Sequence, residues 1–363
     1  MVSSTDLEKY KIWVLAPYLH TDDQNIQYYY DFSQGIKEYA KVFNELNCEW
    51  QWQPVTIQNY KTIIENIRLS SNGKQPLVFN LCDGDEVNGT PGVSVIDELR
   101  EQNILYTGSE RFFYDITTSK IPMKQAFEKA GVPTPSWEVL DKSGANVKGI
   151  FGRLGNPVII KPAVSGGSMG ITINNVVNTE EECLAQLKKM YAGYHGWELT
   201  TGGVFAETFI KGREFTTLIV GSAEYPGQLI FYPPVERVFH KNLPDTEQFL
   251  SFDRLWETYE EEKPVDDDAY LYNYFEPEQE LVPLLKELSI KAYLSVNGTG
   301  YGRLDIRMDK STGKLYVLEV NAQCGLSEDE DYTSIGAILR VANKTFTQLT
   351  CEILQDAILR HKH

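Results

Sequence analysis

The sequence predicts an α/β protein in which an open parallel sheet is followed by mixed α+β structure. Up to about residue 110, short apolar runs such as 11–16 and 77–81 alternate with helical patterns such as 31–46. That alternation is typical of parallel strands linked by helices. Beyond residue 157, short strands are joined by tight glycine-containing turns, which favours hairpins. A long helical pattern at 332–359 ends the chain.

Length and composition predict several domains. The 363 residues exceed one small domain, and a 42% hydrophobic composition supplies enough apolar material for a real core. We predict an N-terminal α/β domain over 1–113, a central subdomain with a glycine-rich loop over 114–200, and a C-terminal subdomain over 201–363. Between about 232 and 275 the pattern fails, which indicates a lid insert; a solvated surface loop is the open alternative.

The charge balance limits the partners. A net charge of −17 at pH 7 repels phosphate backbones, which argues against a nucleic-acid partner. The same charge repels a free nucleotide at long range, so any nucleotide site must gather lysines, arginines and backbone N–H groups, and must recruit Mg²⁺.

The cysteines and the hydropathy pattern predict a cytoplasmic protein. The five cysteines are scattered and never form a CxxC pair, as expected for reduced thiols. The first residues show no basic and apolar signal-peptide pattern. No apolar run approaches the ~18 residues that a membrane span needs.

The predicted hairpin of strands 302–309 and 314–321 is the most informative segment. A turn centred near Thr312 places Asp305 opposite Glu319 and Arg303 opposite Asn321, all on one face. Two carboxylates that face each other across a ladder repel and favour a bound cation. Two carboxylates and an amide oxygen are hard ligands that suit Mg²⁺. A hairpin with a solvated polar face is the alternative.

A second segment joins a buried strand to a loop of small residues. The strand delivers Lys161, and the loop contains Ser165, Gly166, Gly167 and Ser168. Glycines let backbone N–H groups approach phosphate oxygens, and a serine hydroxyl adds a donor. The loop lacks the Walker A order, so an ordinary hairpin turn is the alternative.

A third segment follows the strand 204–209. The Glu207 carboxylate and the backbone near Ile210 could contact an adenine edge or ribose hydroxyls, with Phe209 against the ring. Alone, this segment is equally consistent with an unremarkable strand, turn and strand.

A fourth segment places Lys120 at the start of a helix. A lysine there opposes the helix dipole unless an anion lies near it. An ordinary surface lysine is the alternative.

In this order and at these distances, the segments resemble the ATP-grasp enzymes, most closely the D-alanine–D-alanine ligase group. The matching pieces are IIKPAVSGGSMG from residue 159, VFAETFIKGREFT from 204, GYGRLDIR from 300 and VLEVNAQCG from 317. The resemblance runs from about residue 75 to the C-terminus. It implies an ATP-grasp fold, in which the N-terminal parallel-sheet domain is followed along the chain by two α+β subdomains that sandwich ATP.

The resemblance also implies a role for each matching residue. Lys120 and Lys161 would contact phosphates, and the loop 165–170, with Ser168, would close over them. The expected nucleotide contacts beyond the phosphates are Glu207, Phe209, Ile210, Leu318 and, for the ribose, Glu214. The expected metal ligands are Asp305, Glu319 and Asn321, and the expected oxyanion donors are Arg303 and the Gly325 N–H.

The chain departs from the family at several positions. The family often has a lysine where this chain has Thr208, and a proline where it has Cys324. The family's lid lysine has no clear equivalent here. Its candidate replacements are Arg237, Lys241 and Arg254.

The segment that receives the second substrate in the family is acidic in this chain. Glu328, Asp329 and Glu330 are expected to lie near the acceptor. Acids there would repel a carboxylate, which predicts a cationic acceptor or one without a free carboxylate. A capping role at the last helix explains the same charges.

The implied function is an ATP- and Mg²⁺-dependent ligase, with Mn²⁺ as an alternative ion. It would join a small-molecule carboxylate, expected to be an amino acid, to an amine through an acyl phosphate. The alternatives are a non-catalytic nucleotide-binding module and a ligase with a different acceptor. A nicotinamide enzyme is disfavoured because no GxGxxG follows the strand at 11–16. A homodimer is left open.

Overall fold

The computed structural model describes residues 7–20, 31–70, 73–193, 196–256 and 270–361. Within these residues the strands form three sheets. Helices pack against them as follows: α1 Ser33–Glu45, α2 Tyr60–Leu69, α3 Val93–Glu101, α4 Arg111–Thr118, α5 Lys120–Ala130, α6 Ile150–Leu154, α7 Glu180–Ala192, α8 Phe252–Trp256, α9 Val282–Ser295, α10 Ser334–Ala342 and α11 Phe346–Arg360.

The first sheet is parallel and open, as predicted. Its strands lie in the order β2-β1-β3-β4, with bounds β1 Tyr10–Pro17, β2 Glu49–Val55, β3 Gln75–Asn80 and β4 Leu105–Tyr106. Apolar side chains of β1 and β3 are buried on both faces, because helices cover both sides of a parallel sheet.

The central sheet is antiparallel, in the order β5-β8-β6-β7. Its bounds are β5 Trp137–Val139, β6 Val158–Pro162, β7 Val176–Val177 and β8 Val204–Thr208. β6 delivers Lys161 to the glycine-rich loop. β8 pairs inside this sheet although it lies past the subdomain border predicted at residue 200, so the central sheet extends beyond that border.

The third sheet carries the predicted hairpin. Its bounds are β9 Gly212–Val220, β10 Ile230–Phe231, β11 Val235–Phe239, β12 Tyr272–Phe275, β13 Tyr301–Asp309 and β14 Leu315–Ala322. The order is β12-β11-β9-β13-β14, and β10 pairs with β9. One face packs Leu304, Ile306, Val317 and Val320 into a core shared with α9 and α5. The opposite face is left for polar side chains.

The predicted C-terminal helix is two helices rather than one. α10 ends at Ala342, and the capping residue Asn343 that follows it adopts a left-handed backbone with φ of 50°. Thr345 then caps α11, and Gln348 completes a capping box. These local stop and start signals override the continuous apolar pattern.

The predicted lid insert contains β11, α8 and β12, and its part at 257–269 lies outside the described residues. Among the helices of the described residues, none is long and apolar enough to cross a membrane.

Candidate active site

The two predicted cross-strand pairs of the hairpin are present, although the register shifts by one residue between Asp305 and Ile306, on the side of the turn. Asp305 pairs with Glu319 and Arg303 with Asn321 across β13 and β14. The Thr216 hydroxyl donates to Asp305 Oδ1 at 3.0 Å, and Arg303 Nη2 donates to Asp305 Oδ2 at 3.0 Å. Asn321 Nδ2 also donates to Oδ2, at 3.2 Å. The structure therefore brings these four predicted side chains together.

Glu319 is held in its charged form. Burial alone would raise its pKa, but Lys120, Lys161 and Arg303 act against burial and the pKa lies below its usual range. Lys120 Nζ is 3.5 Å from Glu319 Oε2. The charged Glu319, the facing Asp305 side chain and the Asn321 amide offer the oxygen donors that Mg²⁺ prefers. Among the described residues, no group of three or more histidine, cysteine or acidic side chains could hold a metal ion.

Arg303 has hydrogen-bonding capacity left over. Its Nη2 bonds Asp305, but its buried Nε has no hydrogen-bond partner in the described residues. A buried donor without a partner is costly, so a ligand oxygen would be stabilised there. Gly325 is exposed between buried Cys324 and Leu326 at the end of the same hairpin.

Lys161 meets Glu207 together with a second lysine. Lys161 Nζ lies 2.6 Å from Glu207 Oε1, and Lys124 Nζ lies 2.5 Å from Oε2. Burial would raise the Glu207 pKa, but the two ammonium groups outweigh it and lower the pKa to about 2. Burial lowers the Lys124 pKa, and Glu207 opposes that shift. The buried Glu207 carboxylate is therefore held in its charged form between the two lysines.

Lys120 lies against the glycine-rich loop. Its Nζ donates to the Ser165 carbonyl at 2.9 Å. Gly167 and Ser168 both have left-handed backbones, with φ of 53° and 63°. The Ser168 hydroxyl donates to the Leu250 carbonyl at 3.1 Å, so the loop contacts the lid region. Gly166 is exposed at the loop's outer side.

Glu214 is engaged by two arginines. Arg307 Nη2 is 3.0 Å from Oε2, and Arg237 Nη1 bonds Oε1. Arg237, Glu214 and Arg307 occupy one cross-strand row of the sheet. The predicted ribose contact of Glu214 would therefore share a carboxylate that already serves two guanidinium groups.

The predicted base-contacting residues lie near this row. Phe209 is buried and meets Phe249 edge to face, with ring centroids 5.7 Å apart. The Ile210 carbonyl accepts a hydrogen bond from Arg307 Nη1 at 2.8 Å. Leu318 is half-buried at the register shift between β13 and β14.

The three acids of the acceptor segment, Glu328, Asp329 and Glu330, lie near other groups of the protein. Lys41 Nζ lies 2.8 Å from Glu328 Oε2. Asp329 Oδ1 accepts from the N–H groups of Asp331 and Tyr332 at 3.0 and 3.1 Å. Glu330 is exposed, 4.0 Å from Arg340. Asp329 therefore stabilises the turn before α10, whereas Thr333 caps the helix itself, so the predicted helix-capping role of these acids is wrong.

The three candidates for the lid cation differ in their burial and in their ion-pair partners. Arg237 is buried against Glu214 and the Tyr274 hydroxyl. Arg254 pairs with Glu247 at 2.7 Å, and Lys241 is exposed.

Sequence reasoning missed Lys124 and the role of Arg307. Lys124 follows Lys120 by one helical turn, so the helical period could have placed both lysines on one face. Arg307 alternates with Arg303 and Asp305 along β13, so strand period two could have placed it on the site face.

With this geometry established, comparisons with known proteins decide the family. A family model described as the D-Ala D-Ala ligase C-terminus matches residues 126–355, more than half of the chain. The chain belongs to the D-alanine–D-alanine ligase family. A D-alanine–D-alanine ligase from a Polaromonas species is 28% identical over 262 residues, covering 71% of this chain and 69% of that protein. One from Pseudomonas entomophila is 30% identical over 257 residues, covering 70% and 69%.

Solved structures of the family confirm the fold. The Bacillus anthracis D-alanine–D-alanine ligase complexed with ATP has a TM-score of 0.68 at 19% identity, covering 98% of this chain and 99% of that one. VanG D-Ala:D-Ser ligase from Enterococcus faecalis has a TM-score of 0.63 at 16% identity, covering 96% and 100%. The protein is an ATP-dependent carboxylate–amine ligase that forms a peptide bond and uses ATP and Mg²⁺.

Proposed function

We propose that this ligase activates the carboxylate of an amino acid as an acyl phosphate and passes the acyl group to an amine. The observation that carries the proposal is the single polar face of the hairpin. There Asp305 and Glu319 face each other beside Arg303, whose Nε has no partner in the described residues. A binding module would have no need for a buried, partly unsatisfied arginine next to two facing acidic side chains.

The phosphate side of the reaction is assigned to lysines and the glycine-rich loop. Lys120 and Lys161 would hold phosphate oxygens, and the 165–170 loop would add backbone donors. Asp305, Glu319 and Asn321 would hold the magnesium ion, which when bound neutralises phosphate charge during phosphoryl transfer. Lys161 would have to share its charge between Glu207 and the nucleotide.

The acyl side is assigned to Arg303 and the Gly325 N–H. The amine nitrogen would attack the acyl carbon, and phosphate would leave with the electrons of the broken C–O bond. Donors placed where the oxyanion develops stabilise the tetrahedral species more than the ground state. A lid that excludes water protects the acyl phosphate from hydrolysis.

D-alanine is the first acceptor to test. It is the substrate named for the curated relatives. The charge argument against it loses force, because Glu328 is paired with Lys41 and Asp329 caps its own turn. A basic amino acid or another amine without a free carboxylate is the second choice, since Glu330 is exposed in the same segment. A cytoplasmic location and a homodimer stay predictions.

The test is a product assay with a panel of amino acids. The protein is incubated with ATP, Mg²⁺ and D-alanine, D-serine or a basic amino acid, alone and in pairs, and ADP and condensed products are measured by mass spectrometry. The expected result is ADP release that matches amide formation for at least one pair and is lost in Arg303→Ala. ATP binding without ADP release for any pair would support the non-catalytic alternative.

A further inference from the structure

Arg307 joins three segments that the sequence separates widely. Besides Glu214, its guanidinium donates to the Ile210 carbonyl at 2.8 Å and also bonds the Gln248 carbonyl. It lies over the Phe209 ring, 5.1 Å from the centroid. The side chain is only 3% exposed. A single side chain thus connects β9, the turn after β8 and the lid region.

Glu214 alone does not explain Arg307. Arg237 already neutralises Glu214 and also bonds the Tyr274 hydroxyl at 2.9 Å. One carboxylate shared by two buried guanidinium groups satisfies only part of the hydrogen-bonding capacity of Arg307. The contacts that only Arg307 makes are those to the two backbone carbonyls.

The Gln248 carbonyl belongs to a segment that bridges two sheets. We name residues 247–252 the strap. On one side Phe249 packs on Phe209, beside Arg307. On the other side the strap bonds the central subdomain.

The central-subdomain end of the strap is held by the glycine-rich loop. Ser168 Oγ donates to the Leu250 carbonyl at 3.1 Å, and the Phe252 N–H donates to the Ile171 carbonyl at 2.8 Å. Phe252 also packs edge to face on Trp197, with centroids 4.6 Å apart. The strap therefore runs from the phosphate loop to the residues assigned to the base.

We propose that Arg307 is a positioning residue that latches the strap across the nucleotide site and so keeps water away from the acyl phosphate. The proposal rests on the proposed function, because it takes the residues around Phe209 and Ser168 as the nucleotide site. The rigid, planar guanidinium suits this task, because it bonds a carboxylate and two carbonyls at once. A lysine can keep the positive charge, but its single ammonium group cannot reproduce the planar set of donors by which the guanidinium bonds three acceptors.

The test compares Arg307→Met and Arg307→Lys with Arg213→Met. Arg213 lies on β9 next to Glu214, pairs with Glu236 and Glu278, and lies outside the strap contacts. For each variant the unfolding temperature, the ATP dissociation constant, the ATP hydrolysed per amide formed, and hydrogen exchange of the strap with and without ATP are measured.

Both Arg307 variants are expected to bind ATP about tenfold more weakly, because charge-assisted hydrogen bonds to the strap are lost. Both should consume several-fold more ATP per amide and exchange faster in the strap. Arg307→Lys should unfold at the wild-type temperature but should still hydrolyse more ATP per amide formed than the wild type. Arg213→Met should change only the unfolding temperature.

Recovery of ATP affinity, coupling and strap protection by Arg307→Lys would show that charge alone matters and would overturn the latch. If Arg307→Met does not fold, the lysine variant and Arg213→Met carry the same comparison. If the wild type forms no amide at all, the proposed function fails. ATP affinity and ATP-dependent strap exchange still decide the latch in that case.

Discussion

Two acidic clusters lie within a short stretch of this chain, and the structure treats them differently. Asp305 and Glu319 face each other inside the third sheet, beside three basic side chains that hold the Glu319 pKa low. Glu328 and Asp329 lie just past the hairpin, where one pairs with exposed Lys41 and the other binds backbone N–H groups. A run of acidic residues therefore does not by itself identify a functional site. The ion-pair partners and the burial of each acid determine whether it can bind a metal or only stabilises local structure.

The largest expected effect comes from the hairpin cluster. Asp305→Asn and Glu319→Gln keep the side-chain shape but remove the charge that would hold the metal. We expect turnover to fall on the order of 10³-fold, since metal neutralisation of phosphate charge is worth several kcal/mol. Steady-state ADP release at saturating ATP and Mg²⁺ measures this. Turnover within about threefold of wild type in both variants would place the metal elsewhere.

Substitutions of Arg303 and Lys161 should affect different steps of the reaction. Arg303→Ala should lower kcat about 10²- to 10³-fold with little change in ATP affinity, because it meets charge that develops late. Lys161→Ala should mainly weaken ATP binding, because lysine meets the ground-state phosphates. Nucleotide titration and single-turnover kinetics distinguish the two. Equal losses of nucleotide affinity in both variants would contradict these roles.

A buried acid should matter more for stability than an exposed one. The Glu207 pKa is about 2 in the folded protein and near 4.5 when unfolded, so its contribution is present above pH 4.5. That contribution is lost as the pH falls through about 2, and it amounts to on the order of 3 kcal/mol. Denaturant unfolding between pH 5 and 2 should show this loss in the wild type. Its persistence in Glu207→Gln would rule out Glu207 as the source.

The smallest effect is expected in the acceptor segment. Lys41→Met breaks an exposed ion pair and should cost less than about 1 kcal/mol of stability. Glu328→Gln, Asp329→Asn and Glu330→Gln should leave the acceptor KM within about twofold, since exposed charges are screened. Acceptor kinetics at two salt concentrations measure this. A KM that changes with the charge of the acceptor would revive the electrostatic argument.

The sequence was sufficient to predict the structure where local turn and strand rules agree with the tertiary geometry. Strand period two and a turn near Thr312 predicted the Asp305–Glu319 pairing, which the structure reaches through a register shift between Asp305 and Ile306 that the sequence did not reveal. The parallel first sheet followed from alternating apolar runs. The sequence failed where a single residue interrupts a pattern, as when Asn343 divides the last helix.

Several partners of the site residues are specified by no linear pattern. Glu214 was expected at the ribose, yet two arginines from neighbouring strands already bind it, and that sharing depends on sheet order. Lys41 neutralises Glu328 across 287 positions of sequence. Contacts of this kind arise from tertiary packing, so the sequence alone could not decide between a substrate-binding acid and a structural one.

The metal dependence of ADP release tests the central claim most directly. The claim is that the hairpin carboxylates hold the catalytic magnesium, whereas the acceptor-segment acids do not. Mg²⁺ is titrated at fixed ATP and substrates for wild type, Glu319→Gln and the matched Glu328→Gln. The account predicts that Glu319→Gln needs far more Mg²⁺ or shows no activity, while Glu328→Gln follows the wild-type curve. Superimposable curves for wild type and Glu319→Gln would contradict it.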